Sequence, residues 1–497
     1  MSAISSHAIL LTFAVYLLVM LGIGVMGYRG TDDLADYLLG GRRLGRWVTA
    51  LSAEASDMSG WLLLGLPGFA YVAGFEAGWI ALGLLVGTYL NWKLVALPLR
   101  HYTQRAGNAL TLPDFFEQRF QDRTRLLRVV SAIFILIFFT FYTGSGLVAG
   151  GKLFSTVFGL PYLDAVLAGA AVVVMYTLIG GFLAVCWTDL VQGLLMLFAL
   201  VVVPVVAVGR DGGLGATVTG LGHINPQLLD PLTTRDGSPL GLIGILSLLG
   251  WGLGYFGQPH ILVRFMAIQR PETLGQARRI AVSWVTLTLL GSVLVGVAGI
   301  GFLHTPLLGA ASETVFMRLV VMIFHPVLAG VLLAAILAAI MSTADSQLLV
   351  ASSALAEDFY KALFRPHAGA AELVFVGRSA VLIISFLAFF LAMNPDSKVL
   401  DLVAYAWAGF GAAFGPTVLL ALFWRRMTRN GALAGIFVGG VTVIVWKQLH
   451  GGLFDLYEII PGFLFSPAAI VLVSMLGRPP AGEVTALFDE VAAIRRR

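Results

Sequence analysis

The chain has 497 residues, of which 58% are hydrophobic and 12% are charged, and its formal net charge is +4. Soluble domains carry roughly twice this charged fraction, so the composition excludes a soluble enzyme with an anchor. It predicts an all-α polytopic membrane protein. Cys186 is the only cysteine, which excludes an internal disulfide, and the eight scattered histidines form no metal-ligand cluster. The sequence contains no phosphate-binding loop with its lysine.

Thirteen apolar segments are long enough to cross a bilayer. They lie at residues 8–28, 46–72, 77–98, 125–155, 161–181, 188–209, 240–265, 278–304, 327–355, 372–393, 398–423, 428–449 and 456–476. No lysine or arginine precedes the first segment, and no small-residue cleavage site follows it. We therefore expect a retained span whose N-terminus lies outside.

The positive charges are consistent with this alternation of spans. With the N-terminus outside, 24 of the 31 lysines and arginines fall in segments predicted to be cytoplasmic. Those segments are 29–46, 99–128, 182–187, 264–279, 356–378, 424–429 and 477–497. This is the bias of the positive-inside rule, and it predicts a cytoplasmic C-terminus.

Four connecting segments have patterns of their own. Residues 209–239 are polar and rich in Gly, Pro and Asp, which predicts an exposed external loop, and residues 305–325 could carry a short external helix. Residues 112–128 are amphipathic, and we expect a helix lying in the cytoplasmic interface. The tail after Gly477 is short and polar.

The second span contains an unusual polar stretch from Ser52 to Gly68, S-A-E-A-S-D-M-S-G-W-L-L-L-G-L-P-G. Its middle carries Glu54 and Asp57. Ionisable groups and a broken backbone are unfavourable in hydrocarbon unless they face a cavity or a packed interior. The stretch therefore predicts a discontinuous helix that holds a solute or an ion. The alternative is a kinked helix whose small residues allow close packing.

The seventh span contains a second break, in the sequence G-W-G-L-G-Y-F-G-Q-P-H-I from Gly250 to Ile261. Glycine weakens a helix by roughly 1 kcal/mol per position and interior proline by about 3 kcal/mol. The two broken spans are five spans apart, so they run in opposite directions. Paired interrupted segments point to a transporter with inverted repeats. Tight packing around aromatic side chains is the alternative for this segment.

The ninth span presents small and hydroxylated residues at helical spacing between Ala335 and Ser353. Hard cations such as Na⁺ are bound by several oxygens. The hydroxyls, together with carbonyls of a broken helix, could supply such a shell. Alternatively, each hydroxyl bonds its own helix and the face is a packing seam.

Four motifs in this order resemble the sodium/solute symporter family, in particular its bacterial sodium/proline symporter branch. They are S-D-M-S-G-W-L-L-L-G-L-P-G, G-W-G-L-G-Y-F-G-Q-P-H-I, A-A-I-M-S-T-A-D-S-Q-L-L and Y-A-W-A-G-F-G-A-A-F-G-P. The resemblance extends from about Tyr28 to Gly477. It also includes R-M-T-R-N-G-A-L-A-G and V-W-K-Q-L near the C-terminus.

The resemblance implies thirteen transmembrane helices with a LeuT-type 5+5 inverted-repeat core. Its units would be a first helix with its cytoplasmic loop, a first repeat, an external loop, a second repeat, two further helices and a cytoplasmic tail. Their boundaries would be residues 1–45, 46–210, 211–239, 240–423, 424–477 and 478–497. The protein would lie in the bacterial cytoplasmic (inner) membrane.

The resemblance also implies two sets of site residues. The sodium ligands would be the carbonyls of Ala55, Met58 and Ala339 and the hydroxyls of Ser342 and Thr343. Proline would contact Ser59, Gly60, Tyr142, Trp251, Tyr255 and Pro259. The residue types suit these roles: N–H groups and a hydroxyl bind a carboxylate, unwound carbonyls accept from an ammonium group, and aromatic rings enclose the pyrrolidine.

A second cation or proton site is a further implication of the resemblance. It would use Asp189, Ser342, Asp345 and Ser346, while Asp57 would shape the sodium site or its access. The alternative is that Asp189 caps its helix and neighbours satisfy Asp345. Glu54 stands where we expect a small residue.

These observations predict sodium-coupled import of L-proline by alternating access, and no enzymatic activity. The expected partners are L-proline, Na⁺ and the lipid bilayer, with no organic cofactor, nucleic acid or obligate protein partner. Within the same class, the alternatives are another small amino acid or a carboxylate as solute, or coupling to protons. A transporter-like sensor would carry a signalling domain after the spans, and a membrane enzyme would need a nucleophile–base or metal set.

Overall fold

A computed structural model of the chain describes residues 3–28, 34–178, 181–303 and 305–496. The described residues are helical and contain no β-strand. Residues 29–33 of the predicted first cytoplasmic loop, residues 179–180 of the predicted fifth span, His304 at the end of the eighth and Arg497 of the tail lie outside them.

The helices of the first half, in chain order, are α1 Ala3–Tyr28, α2 Leu34–Leu39, α3 Arg46–Asp57, α4 Leu66–Ala73, α5 Gly78–Leu94, α6 Ala96–Arg105, α7 Leu112–Phe120, α8 Leu126–Phe158, α9 Tyr162–Thr177, α10 Phe182–Arg210 and α11 Leu214–Ile224. The second half contains α12 Gly241–Leu249, α13 Pro259–Ala267, α14 Leu274–Phe302, α15 Val315–Ile323, α16 Pro326–Ser353, α17 Ala370–Ala392, α18 Val399–Phe423, α19 Arg429–Trp446, α20 Ile459–Leu476 and α21 Gly482–Arg496.

Ten helical runs in the described residues are long and apolar enough to cross a membrane. The number is eleven when a bent pair, Gly241–Gly257 with Pro259–Ala267, is taken as one span with a 46° bend. The apolar helix α9 is shorter. The chain is therefore an all-helical, multi-pass membrane protein, and length and composition do not confirm the number thirteen.

The first broken helix consists of α3, the break at residues 58–60, one wider helical turn at Trp61–Gly65, and α4. After α4 the chain reverses. The indole Nε1 of Trp92 donates to Glu54 Oε1 at 2.8 Å, although the two residues are 38 apart in sequence. In one straight helix they would be about 57 Å apart. The turn around Gly74, whose φ is +64°, reverses the chain, so that the end of α5 reaches α3.

The second broken helix consists of α12, a tight 3₁₀ segment at Gly250–Gly257, an extended Gln258, and α13. Pro259 is the first residue of α13. At this position a backbone N–H would have no partner within the helix, so proline loses nothing by lacking one, and its fixed φ suits a helix start. Both breaks therefore lie where the sequence predicts them. The glycines of these stretches, and the proline of the second, weaken a regular helix there.

Protein, and not lipid, covers the apolar face of the amphipathic segment after Leu112. In α7 both Phe115 and Phe116 are fully buried, and Arg119 donates through Nε to the carbonyl of Ala421 at 3.1 Å. The expectation of an interfacial helix is wrong because the apolar face packs against other helices of the protein.

The other connections contain more structure than their polarity indicates. Helix α11 lies within the predicted external loop, and α15 provides the expected short helix after residue 305. The tail forms α21, where Asp489 pairs with Arg425 at 2.8 Å. Hydrogen bonding from Arg425 holds the pKa of Asp489 below its usual range.

Candidate functional site

The first break interrupts the helical backbone hydrogen bonds in the middle of the protein. Helix α3 ends at Asp57, and the N–H of Met58 makes the last helical bond, to the carbonyl of Glu54 at 2.9 Å. A Cβ added at Gly60 would lie 2.7 Å from the Cβ of Ala149, so only glycine lets helix α8 approach here. The break is thus held against α8 by close packing and is fully buried.

The predicted sodium ligands meet where the end of α3 contacts α16. Ser342 Oγ donates to the Ala55 carbonyl at 2.8 Å and lies 3.3 Å from the Ala339 carbonyl. Thr343 Oγ1 lies 3.5 Å from the same Ala55 carbonyl. The structure therefore brings four of the five residues together, and Met58 begins the adjacent break. The donor set consists of neutral oxygens, which suits a hard monovalent cation.

The residues predicted to bind proline gather around the same break. Tyr142 donates its hydroxyl to the Asp57 carbonyl at 2.9 Å, and Tyr255 donates to Asp57 Oδ2 at 2.7 Å. The ring of Trp251 lies 6.0 Å from that of Trp61, which follows Ser59 and Gly60. These side chains are buried and form an aromatic enclosure beside the backbone of the break.

Pro259 has a different environment. It lies at the start of α13 and lines a cavity of about 30 Å³ together with Val263, Leu349 and Asp358. In the structure, Pro259 begins the second half of the broken helix.

Asp189 does not cap a helix. Helix α10 begins at Phe182, so Asp189 lies in its second turn, fully buried. Its Oδ2 accepts from Ser52 Oγ at 2.6 Å and pairs with the guanidinium of Arg264 at 3.1 Å. The alternative of a helix cap is wrong because the helix starts before the predicted boundary.

The prediction for Arg264 is wrong. From the sequence it is predicted to lie in the cytoplasmic segment 264–279, whereas the side chain is buried within the protein. It lies in α13, is 1% exposed, and donates to Ser52, Ser346 and the carbonyl of His260 as well as to Asp189. The guanidinium therefore contacts Asp189 and Ser346, two members of the predicted second cation site. A charged residue at the end of an apolar span was the available signal.

Asp345 and Glu54 are buried and only partly satisfied. Asp345 Oδ1 lies 3.5 Å from Ser346 Oγ, and its Oδ2 has no hydrogen-bond partner among the described residues. Glu54 accepts from Trp92, as described above, and its Oε2 also has no partner there. Sequence reasoning found both carboxylates but not their surroundings.

Trp407 is a second residue that sequence reasoning missed. Its indole Nε1 donates to the carbonyl of Trp251 at 2.7 Å, and its ring meets that of Tyr255 edge-on at 5.0 Å. Helix α18 thereby supports the second break. The signal was an aromatic residue within the motif Y-A-W-A-G-F-G, which the resemblance had already singled out.

The family model described as "Sodium:solute symporter family" matches residues 37–439. The chain belongs to this family. It is 52% identical over 493 residues to the sodium/proline symporter of Escherichia coli K12, covering 98% of this chain and 97% of the relative. It is 51% identical over 473 residues to the high-affinity proline transporter PutP of Bacillus subtilis 168, covering 95% of this chain and 98% of the relative.

A solved structure of a Na⁺-coupled sialic acid symporter, in a substrate-bound outward-open state, has a similar fold. The TM-score is 0.76 and the alignment covers 95% of this chain and 99% of that one. Sequence identity is 20%, so the likeness concerns the fold alone. Family and fold together identify a sodium:solute symporter and not an enzyme.

Proposed function

We propose that this symporter imports L-proline together with Na⁺. The observation that carries the proposal is the contact of the Ser342 and Thr343 hydroxyls with the Ala55 carbonyl at the first break. This contact supports an all-oxygen sodium ligand set close to the aromatic enclosure. Relatives about half identical over nearly the whole chain are named as sodium/proline symporters or proline transporters.

Coupling follows from the shared break. Na⁺ held between α3 and α16 would fix the carbonyl of Ala55. This in turn would order Ser59 and Gly60, which follow Ala55 by four and five residues across the break. N–H groups at the restart of the helix suit the carboxylate of proline. The rings of Trp251 and Tyr255 suit its pyrrolidine. By linkage, proline must tighten Na⁺ by the same factor as Na⁺ tightens proline.

We further infer thirteen crossings in a 5+5 inverted repeat. Helix α9 adds a span to the eleven, and the reversal at Gly74 divides the run Trp61–Leu94 into two. The broken helices then open the two repeats, 46–210 and 240–423, in opposite orientations. Residues 1–45, the loop 211–239, the helices of 424–477 and the tail 478–497 complete the chain. We place the N-terminus outside the bacterial inner membrane and the C-terminus in the cytoplasm.

Uptake by purified protein in proteoliposomes tests this function. We expect L-proline accumulation when an inward Na⁺ gradient is imposed and none when K⁺ replaces Na⁺. A membrane potential, negative inside, should add about 2.3 kcal/mol per 100 mV for each net charge moved. Unlabelled proline and close analogues should compete, whereas carboxylates without an amino group should not. Equally fast uptake in K⁺ alone would contradict sodium coupling.

A further inference from the structure

Trp251 of the second broken helix packs against a ring from a much later part of the chain. Tyr457 lies just before α20, and its ring centroid is 5.7 Å from that of Trp251, with the two planes at 28°. Stacked aromatic rings at this separation attract each other beyond the effect of burial alone. The orientation of Trp251 therefore depends on Tyr457 as well as on Trp61, whose ring lies at 6.0 Å.

Hydrogen bonds hold Tyr457 at both ends. Its backbone N–H donates to Ser247 Oγ at 3.0 Å, and Ser247 lies on α12, just before the second break. Its hydroxyl donates to the carbonyl of Ala404 on α18 at 2.7 Å. Because the backbone and the phenol oxygen are both bonded, the ring between them has little freedom to turn away from Trp251.

The turn that carries Tyr457 is anchored to α19. The residue before it, Leu456, accepts through its carbonyl from Trp446 Nε1 at 3.0 Å. The residue after it, Glu458, is buried and pairs with Lys447 at 3.4 Å. Connecting segments are ordinarily more mobile than the helices that they join. Here, contacts on both sides of Tyr457 hold the connection in one arrangement.

Helix α18 contacts both members of the aromatic pair. Ala404 and Trp407 are three residues apart on this helix and share a face. The carbonyl of Ala404 accepts from Tyr457, while Trp407 Nε1 donates to the carbonyl of Trp251 at 2.7 Å. One face of α18 therefore holds Trp251 and Tyr457 together, although Tyr457 follows the predicted second repeat, 240–423.

We propose that Tyr457 is a positioning residue for proline recognition, which fixes the ring of Trp251 from outside the predicted inverted repeat. The proposal rests on sodium-coupled proline transport with Trp251 in the wall of the proline site. Tyr457 acts on proline only through Trp251. A contact that stays the same throughout the transport cycle contributes to solute affinity and not to turnover, so the proline KM depends on Tyr457 and kcat does not.

Proline uptake by Tyr457→Leu in proteoliposomes tests the proposal, at saturating Na⁺ and per folded transporter. We expect the proline KM to rise about fivefold, which is the order of one aromatic pair, with kcat little changed. Tyr457→Phe keeps the stacked ring and loses only the bond to Ala404, so it should keep most of the affinity. Equilibrium binding of radiolabelled proline to the solubilised protein should rank the variants in the same order.

Two further variants make the test specific. Tyr162→Leu is the matched control, since Tyr162 also begins an apolar helix, α9, and donates its hydroxyl to the carbonyl of Ala392 at 3.0 Å. It does not belong to the proposed proline site and should leave the proline KM unchanged. Ser247→Ala removes the acceptor of the Tyr457 N–H. It should raise KM by a smaller factor, which tests the proposal even where Tyr457→Leu does not fold.

A double variant shows whether Tyr457 acts through Trp251. Trp251→Phe weakens the same stacked pair from the other side. If the two residues act as one unit, the rise in KM for Trp251→Phe with Tyr457→Leu is smaller than the product of the two single rises. Rises that multiply in full would show that Tyr457 acts independently of Trp251, which would overturn the positioning role.

The remaining outcomes are separable. An unchanged proline KM in Tyr457→Leu and Ser247→Ala, or a lower kcat at unchanged KM, would overturn the role of Tyr457 and leave sodium–proline symport intact. An equal rise in Tyr162→Leu would do the same. Absence of any sodium-dependent proline uptake by the unmodified protein would instead overturn the proposed function.

Discussion

At the scale of single residues, sodium coupling depends on two hydroxyl groups. Ser342 is the stronger candidate ligand because its Oγ is within 3.3 Å of two carbonyls, whereas Thr343 approaches one at 3.5 Å. Both side chains are buried, so their hydroxyls have no bulk water to replace a lost partner.

We predict that Ser342→Ala and Thr343→Val each raise the Na⁺ concentration for half-maximal proline uptake, by about tenfold for a loss of about 1.4 kcal/mol. Sodium-activation curves in proteoliposomes measure this. The control is Ser379→Ala, which removes an exposed hydroxyl that bonds only its own helix, to Phe375. An unchanged sodium dependence in the double variant would remove both residues from the site.

Arg264 and Asp189 form a buried ion pair between α13 and α10, and we expect it to stabilise the helix packing around the breaks. Removing one partner of a buried ion pair typically costs 3–5 kcal/mol, because the other charge stays buried and unpaired. We predict a marked fall in the Tm of detergent-solubilised protein for Arg264→Gln and for Asp189→Asn. The double variant should recover part of the loss. Equal Tm values for the single variants and the unmodified protein would show that the pair is not required.

At the scale of elements, the breaks work because neighbouring helices fit closely against them. Gly60 touches α8 through Ala149, and the second break contacts α5 and α18 through backbone and Trp407. Because protein interiors are close-packed, a methyl group added at such a contact fits only if the neighbouring helix shifts.

We predict that Gly60→Ala strongly reduces proline uptake, because its Cβ would lie 2.7 Å from that of Ala149. The paired change Gly60→Ala with Ala149→Gly removes the overlap and should restore part of the rate. Uptake per folded transporter, quantified by size-exclusion chromatography, is the measurement. No recovery in the pair would contradict close packing against Ala149 as the reason for glycine at this position.

At the scale of the whole molecule, a buried ion pair joins three distant segments. Lys152 of α8 pairs with Glu313, and the same carboxylate accepts from the backbone N–H groups of Val399 and Leu400 at the start of α18. Val399 follows a segment predicted to be external. The contact therefore ties α8 to the start of α18 on that side of the protein.

An odd number of crossings places the termini on opposite sides of the membrane. We predict that alkaline phosphatase fused after Arg497 is inactive, whereas the same enzyme fused in the external loop, after Gly237, is active. Green fluorescent protein should show the reverse pattern. Matching signals at both positions would contradict thirteen crossings or the assigned orientation.

The sequence by itself determined the class of protein, the positions of both breaks and the hydroxyl face of α16. These depend on local composition: apolar length, helix-breaking residues and helical periodicity are properties of neighbouring positions along one chain. The resemblance added the family, which the comparisons confirm.

Only the tertiary structure decided which polar groups meet. Arg264 looks like a loop residue in the sequence, yet it pairs with Asp189, and Glu54 has no evident purpose until α5 folds back to bring Trp92 against it. The helix from Leu112 to Phe120 is amphipathic in either setting, and only its neighbours show that protein and not lipid covers it. The hydropathy of a segment indicates how strongly it favours an apolar environment, but it does not indicate which helices pack together.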